Sequence, residues 1–381
     1  AVRKQKYYSE LTKDEHFIIR HIAVEALSHI SKSYSNKEEL LSLIQTKKQP
    51  TFWDKFKFGG GDGKKDKVMA VFGVDLQVLT KKYGIDSDLG VGPSKLRIPI
   101  VVDDIIAALR QKDMSVEGIF RLNGNIKKLR ELTEQINKNP LKSPDFSIQN
   151  AVQLAALMKK WLRELPNPLL TFGLYDMWVS SQRQVNPVLR KRVLQLTYCM
   201  LPRSHRNLVE VLLYFFSWVA SFSEIDEETG SKMDIHNLAT VIAPNILISK
   251  QSSNSSSGNS SNSGTNNSDS QQASGDNYFL AIEVVNQLIE QHEEFSIIPL
   301  DILEFYEKCG FDKFDSTKKE ITTRDVMIKI DKELKEKPDY FDNFELKNPT
   351  GSLTSQEVKR NSVSRIESKI QNRELNGISE R

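Results

Sequence analysis

Cysteine is scarce: Cys199 and Cys309 are the two in 381 residues, too few for a disulfide framework or a four-cysteine zinc site. Both stand in helical-looking surroundings, and a reducing compartment is the natural setting. Long apolar runs are scarce too. The most apolar stretch, Leu208 to Phe222, is interrupted by Glu210 and is shorter than the ~20 residues that span a bilayer. Neither charge dominates, since 53 basic and 50 acidic side chains leave a net charge of +3. That balance is too even for wrapping nucleic acid or lying flat on an anionic membrane, so any basic patch is local. The chain starts at Ala1 with no initiator Met and no charged-then-apolar leader pattern, and it reads as a fragment of a cytosolic protein. With 39% hydrophobic side chains it can bury a full core, and at ~150 residues per domain it holds two domains or one large one with appendages.

Motifs for nucleotide and metal chemistry are also missing. Gly59 to Lys65, G-G-G-D-G-K-K, comes nearest to a phosphate loop, but Phe58 stands where the first glycine belongs and Lys65 where a Ser or Thr would ligate Mg²⁺. His16 and His21 have neither the spacing nor the Glu of H-E-x-x-H. No cofactor and no metal is expected, and no nucleotide site belonging to the chain itself.

What the sequence does contain is helical periodicity. Ile18, Ile22, Leu27 and Ile30 follow it, and Ser35 to Glu38 form an S-x-x-E capping box ahead of Leu40, Leu41 and Ile44. Residues 1–54 are expected to be a helical extension. Residues 55–67, rich in Gly, Lys and Asp with no apolar period, are expected to be a linker. From Pro99 the helical signals crowd together: Val101, Ile105 and Leu109; Ile126, Leu129, Thr133 and Ile136; Leu154, Met158, Trp161 and Leu165, closed by Pro166 and Pro168. Pro187 to Leu201, Leu208 to Phe222 and Ile235 to Ile242 continue the pattern, and the second is apolar nearly all round, as suits the centre of a bundle. No stretch alternates like a strand for long, which predicts an all-α domain. Residues 251–276 turn to Ser, Asn and Gly and read as a disordered insert within the domain. Tyr278, Phe279, Ile282, Val285, Leu288 and Ile289 then resume an amphipathic helix that needs the same core. Residues 300–381 are expected to hold a short helix around Asp301 to Cys309 and to be mostly disordered from about Lys335.

Three segments could carry function. In V-E-G-I-F-R-L-N-G-N, Val116 to Asn125, two glycines bracket an arginine in a short loop that feeds the helix starting near Ile126. Ile119, Phe120 and Leu122 would anchor such a loop while Gly118 and Gly124 supply backbone freedom, leaving Arg121 to project. An isolated loop arginine is otherwise an ordinary solvated residue. In the second segment, Asn150 to Leu170, Lys159 and Arg163 are like charges at i and i+4, mildly unfavourable unless something acidic sits there. The plain alternative is a solvated face with Glu164 nearby. In the third, Lys232 to Ile248, Pro244 is expected to stop a helix and leave Asn245 at its end, either poised to hydrogen-bond a partner or simply terminating the helix.

Taken together and in this order, the three segments resemble the RhoGAP family. F-G-V-D-L at Phe72 to Leu76, G-I-F-R-L-N-G, L-M-K-K-W-L-R-E-L-P-N-P-L and N-L-A-T-V-I-A-P-N-I-L carry the resemblance, which covers Val68 to Ile298. It implies a RhoGAP-type helical bundle at 68–299 that binds a GTP-bound Rho-family small GTPase. Arg121 would be an arginine finger supplied in trans, with Lys159 and Arg163 supporting the loop and touching the partner, and Asn245 contacting the GTPase. The chain would then be an activator of another protein's hydrolysis, down-regulating Rho signalling, rather than an enzyme. The Ser/Asn insert makes it similar to the C-terminal part of fungal LIM-domain RhoGAP proteins, which implies roles in the cytoskeleton and cell polarity. A cytoplasmic location follows, with recruitment to the cell cortex at sites of polarised growth. Val152 stands where many members have histidine, a departure that leaves the finger untouched. Two other classes stay open: a catalytically silent RhoGAP-like module or scaffold, and a lipid contact made through Lys55, Lys57, Lys64, Lys65 and Lys67 or through regions outside this chain. No nucleic-acid partner is expected.

Overall fold

Helices in this chain start where a short polar side chain can accept a hydrogen bond from the first turn. Asp75, Asn125, Asn150, Asn186 and Asp234 each turn an oxygen onto an amide two or three residues ahead, a cap worth ~1 kcal/mol. The structure is a computed structural model. It describes residues 5–30, 34, 36–45, 70–226, 228–250, 268–314 and 320–347, with side chains for 275–314 and 320–345 in the last two stretches. The linker expected at 55–67, with its lysines and its phosphate-loop-like glycines, lies outside these residues, as do most of the Ser/Asn insert and the tail beyond 347.

The described elements are predominantly helical. Two helices come first, α1 (Lys13–Ser28) and α2 (Lys37–Ile44). The second is capped by Asn36 rather than by Ser35: Asn36 accepts from the Glu39 amide and donates to its carboxylate, so the cap lies one residue later than the S-x-x-E pattern suggested. Helix α3 (Leu76–Tyr83) leads into a hairpin of β1 (Gly84–Ser87) and β2 (Leu96–Pro99), antiparallel with Ile85 opposite Ile98. The hairpin was not expected. Its alternation is only four residues long, with Leu96 and Ile98 buried and Arg97 exposed, too short to stand out from helical spacing.

The remaining helices are α4 (Ile100–Leu109), α5 (Ile126–Lys138), α6 (Ala151–Arg163), α7 (Tyr175–Gln182), α8 (Pro187–Met200), α9 (Arg203–Ala220), α10 (Ile235–Ile246), α11 (Ser268–Glu290), α12 (Leu300–Lys308) and α13 (Thr323–Glu336). As its composition suggested, α9 is central: Leu208, Val211, Leu212, Phe215 and Phe216 are buried on every side of it, and it packs on β2, α3, α10 and α11. Helix α11 begins at Ser268 and so takes in the last nine residues, 268–276, of the segment expected to be disordered. Extending an established amphipathic helix adds one hydrogen bond per residue fixed, without the cost of a new nucleus. Helix α13 was also missed, although Thr322 and Asp325 form a capping box and Val326 and Ile330 face the core.

The terminal flanks join the core. Helix α1 packs against α8, α12 and α13, and residues 1–342 make one compact unit, with buried side chains on both sides of the linker in a single cluster. The segment before α1 also pairs backbone to backbone with residues 296–298, with Tyr8 N–H on the Ser296 carbonyl at 3.1 Å and Ile298 N–H on the Lys6 carbonyl at 2.9 Å. A bidentate pair between Arg192 of α8 and Asp301 of α12, both almost fully buried, fixes the register of this layer. The second unit, 343–381, is described only as far as one helical turn at Phe344–Lys347.

Buried histidines set the pH range of this arrangement: desolvation pushes the imidazoles of His16, His21, His205 and His292 below their usual pKa. His21 bridges the Phe17 carbonyl at 2.7 Å and the Thr323 hydroxyl at 3.1 Å, tying α1 to α13. His292 bonds the Ile289 carbonyl and stacks on Tyr214. Burial holds the imidazoles of His21 and His292 down to a pKa of about 4. The unfolded chain therefore binds more protons than the folded one between pH 6.5 and about 4, and stability falls as the pH drops through that window. His29 works in the opposite sense, its pKa raised by hydrogen bonding to Glu25, and offsets part of the loss. His21 and His292 are each expected to remove about 2 kcal/mol by pH 5. Thermal melts at pH 7 and 5 check this, with His21→Gln expected to shrink the difference by its own share.

Candidate functional site

The Arg121 loop is held by its hydrophobic residues. Phe120 is fully buried and meets the rings of Phe215 and Phe216 edge-on, centroids 6.1 and 5.5 Å away. Its backbone is left-handed, φ +68°, a conformation that a bulky L-residue adopts only when its surroundings force it. Gly118 shares that conformation, φ +72°, and its carbonyl accepts both the Arg121 and the Leu122 N–H at 2.9 Å. The resulting turn is tight and leaves Arg121 and Leu122 outside, while Ile119 and Phe120 point in. A Cβ at Gly118 would lie 3.2 Å from Nη2 of Arg121, so the guanidinium rests over the glycine.

The loop is tied behind and below. Gly118 N–H donates to the Ser231 carbonyl at 2.8 Å, and Ser231, wholly buried, precedes Lys232, another left-handed residue with φ +57°. On the far side Gly124 rests on α6: an added Cβ would sit 2.9 Å from Cβ of Ala156. Gly124 does not have a positive φ, so its part is close approach rather than backbone freedom. One residue on, Asn125 caps α5 while its own N–H and carbonyl are both taken by the side-chain amide of Gln153, at 2.8 and 3.2 Å. Gln153 did not stand out in the sequence. The available signal was a glutamine among Ala151, Leu154, Ala155 and Leu157 on a face that buries all of them.

Ala156, Lys159 and Arg163 follow at i, i+3 and i+7, so the two cations share the stripe of α6 on which the loop stands. Lys159 is half-buried and Arg163 exposed. Glu164, a plausible partner for Arg163, is engaged by Lys160, which also lies 5.1 Å from the Phe72 ring centroid. Among the described residues neither Lys159 nor Arg163 has a carboxylate partner. Desolvation and the Arg163 charge both push the Lys159 ammonium below its usual pKa. Two cations without a carboxylate partner among the described residues leave this stripe of α6 positively charged.

Asn245 is placed otherwise than expected. Pro244 lies inside α10 and does not end it: the Leu247 N–H still reaches the Ala243 carbonyl at 2.9 Å, and the helix runs to Ile246. One turn from a terminus, proline removes a single ladder bond, to Thr240, and the rest survive. Asn245 is 8% exposed, and its Nδ2 donates to the Val241 carbonyl at 2.9 Å. The end of α10 is fixed by Leu170 N–H on the Ile246 carbonyl at 3.0 Å, beside Thr171, the third left-handed non-glycine residue.

Substitutions at these positions should separate support from surface. Lys159→Met relieves a like-charge pair worth a few tenths of a kcal/mol and is expected to leave the melting temperature unchanged or to raise it by about 1 °C. Asn245→Ala removes a buried hydrogen bond and is expected to cost about 1 kcal/mol. Thermal melts of the two variants read the difference; a clear fall for Lys159→Met would give that residue a structural partner.

Comparison with known proteins finds relatives along most of the chain. Residues 99–251 match the model of the RhoGAP domain. Rho-GTPase-activating protein LRG1 of Saccharomyces cerevisiae is 47% identical over 318 residues, 81% of this chain and 31% of the relative. Rho-type GTPase-activating protein 1 of Schizosaccharomyces pombe is 42% identical over 301 residues, 78% of this chain and 24% of the relative. The chain thus spans about a third or less of these curated relatives. Among solved structures, human Rho GTPase activating protein 15 covers 60% of this chain and 92% of its own, at 16% identity and a TM-score of 0.45.

Proposed function

From the match of residues 99–251 to the RhoGAP domain, we propose that this chain stimulates GTP hydrolysis by a GTP-bound Rho-family GTPase, with Arg121 inserted in trans as an arginine finger. The observation that carries the reading is the Arg121 loop: a left-handed, fully buried Phe120 holds the exposed arginine out, and through Gly124 the loop rests on the helix that carries Lys159 and Arg163.

The chemistry explains why one side chain suffices. In GTP hydrolysis negative charge shifts onto the oxygens around the β,γ bridge, and a GTPase already holds Mg²⁺, a phosphate-cradling loop and a water-positioning glutamine. What remains is to place a permanent positive charge at that spot in a site cleared of water. Guanidinium does so with two parallel donors that match phosphate oxygens, whereas an ammonium offers a point charge. Swinging the guanidinium off Gly118 into the partner is a side-chain rotation, and the pinned backbone need not move.

Lys159 and Arg163 are docking and positioning residues in this reading, facing acidic groups of the partner. Asn245, buried and bonded within α10, acts through the shape of the helix end as much as by direct contact. Gly118 and Gly124 support the loop. The same reading has the chain in the cytoplasm, recruited to the cell cortex at sites of polarised growth, where it would lower Rho signalling to the cytoskeleton.

Single-turnover GTP hydrolysis across a panel of Rho-family GTPases tests the proposal. Arg121→Ala is expected to lower the stimulated rate by ~10³-fold or more while leaving folding and affinity for a GTPase locked with a GTP analogue nearly unchanged, because the lost interaction belongs to the transition state. Arg121→Lys should recover little. An alanine variant that stimulates as well as the parent would remove Arg121 from the mechanism.

A further inference from the structure

Helix α5 begins with an incomplete cap. Asn125 accepts from the Lys128 N–H at 3.0 Å, but the residue that would return the bond to the Asn125 N–H, three positions into the helix, is Lys128 itself. Lysine has no acceptor, whereas a capping box places Glu or Gln there. The missing acceptor comes from another helix. Gln153 of α6, 3% exposed, supplies Oε1 to the Asn125 N–H at 2.8 Å and returns Nε2 to the Asn125 carbonyl at 3.2 Å. One side-chain amide thus satisfies both backbone groups of the residue where the arginine loop becomes helix.

Gln153 is itself fixed. Its backbone N–H lies on the Asn150 side chain at 2.8 Å, the cap of α6, so it projects from the first turn of a helix whose start is locked. Gly124, immediately before the clamped residue, has no room for a Cβ between Ala156 and Gln153, whose Oε1 would be 3.0 Å from it. The loop is therefore pressed onto α6 at Gly124 and bolted there at Asn125. Arg121 lies between this bolt and the anchors on its other side, the Phe120 ring and the Gly118 bond to Ser231.

We infer that Gln153 is a positioning residue for Arg121: it sets the height and tilt of the arginine loop over α6 without touching the partner or the reacting atoms. The inference rests on the GTPase-activating reading above. It follows from two features together, an α5 cap that cannot close on itself and a buried amide from the helix beneath that closes it. Removing the bolt lets the descending limb drift on α6, and a displacement of order 1 Å in a catalytic group can cost up to ~10²-fold in rate.

The test measures single-turnover hydrolysis by the GTPase the parent stimulates best, over a range of chain concentrations, so that maximal rate and half-saturating concentration are separated. Gln153→Leu keeps volume and loses both bonds. Its maximal rate is expected to fall roughly 10-fold or more, with half-saturation within about two-fold of the parent, because the docking cations of α6 are untouched. In an Arg121→Ala background the same change should cost nothing further, since a residue that acts only through Arg121 has nothing left to position. Gln153→Glu, which keeps the acceptor and loses the donor, should show a smaller loss in maximal rate alone; it carries the test if Gln153→Leu does not fold. An unchanged maximal rate overturns the inference, as does a shift confined to half-saturation or an equal loss in the Arg121→Ala background. If Arg121→Ala is harmless, or the parent stimulates no GTPase, the functional reading itself fails, and that outcome is distinct from an active, Arg121-dependent parent indifferent to Gln153.

Discussion

The backbone of Phe120 is the constraint on which the rest of the site depends. A left-handed conformation at a bulky residue costs on the order of 1–3 kcal/mol, and nothing in the exposed part of the loop offsets it. Burial of a phenylalanine ring contributes roughly 1.5–3 kcal/mol, and each edge-on aromatic pair about 0.5–1.5 kcal/mol more. With both Phe215 and Phe216 presenting rings to Phe120, the packing outweighs the strain. The next side chain, Arg121, is thereby thrown outward by a turn that could not relax without pulling an aromatic ring from the core. Helix α9 is apolar on every face partly for this reason, since its ring pair must meet the loop while its other sides meet β2, α3, α10 and α11.

An apolar central helix needs something to fix its register, and buried charge does so here. Arg206, with no exposed surface, donates to Glu210 at 3.0 Å and to Asn207 at 2.6 Å, and lies 5.0 Å from the Tyr8 ring centroid. Glu210 in turn accepts the Val91 N–H at 3.2 Å. Breaking such a pair strands a buried charge at a cost of about 3–5 kcal/mol, although a well-packed apolar replacement could be as stable. Its use is therefore specificity through what the pair touches outside the helix: slipping α9 by a residue would take Glu210 off the Val91 N–H and Arg206 off the Tyr8 ring. Tyr8 belongs to the N-terminal flank and Asp301, the partner of Arg192, to the C-terminal flank, so both flanks contribute to the burial and pairing of charges in the bundle.

Most of the helices were legible because their apolar residues recur at helical spacing over two turns or more, α13 being the long one that was missed. The arginine loop was legible because two glycines bracket it and a helix follows. Less visible was which residues hold the loop: the left-handed positions are Gly118 and Phe120, and only packing against α9, some ninety-five residues later in the chain, makes Phe120 adopt one. Gly124 appeared as a source of flexibility and proves to be a point of contact with Ala156. Asn245 was misplaced because a proline reads as a full stop, whereas in the last turn of a helix it costs one hydrogen bond. Gln153 was unreadable for a related reason. Its work is done on the backbone of Asn125, and backbone partners leave no complementary letter in the sequence.

The electrostatics of α6 show what the free protein forgoes to keep this face ready. Lys159 and Arg163 repel each other across one turn, and the one nearby acid, Glu164, pairs with Lys160 instead. A fold selected for stability alone would place an acid between them or exchange one cation for a neutral side chain, at a gain of only a few tenths of a kcal/mol. In the free state the repulsion is nearly as weak as that gain, because water screens it. In an interface that excludes water the same two charges meet opposite charge at a lower effective dielectric, where each contact is several-fold stronger. The asymmetry favours the complex, with the penalty small where solvent is present and the attraction large where it is not. On the proposed reading the cations have different work: Arg121, held by a strained and fully packed turn, serves exact placement, whereas Lys159 and Arg163, with no carboxylate partner among the described residues, serve to attract and hold whatever surface brings the phosphate to it.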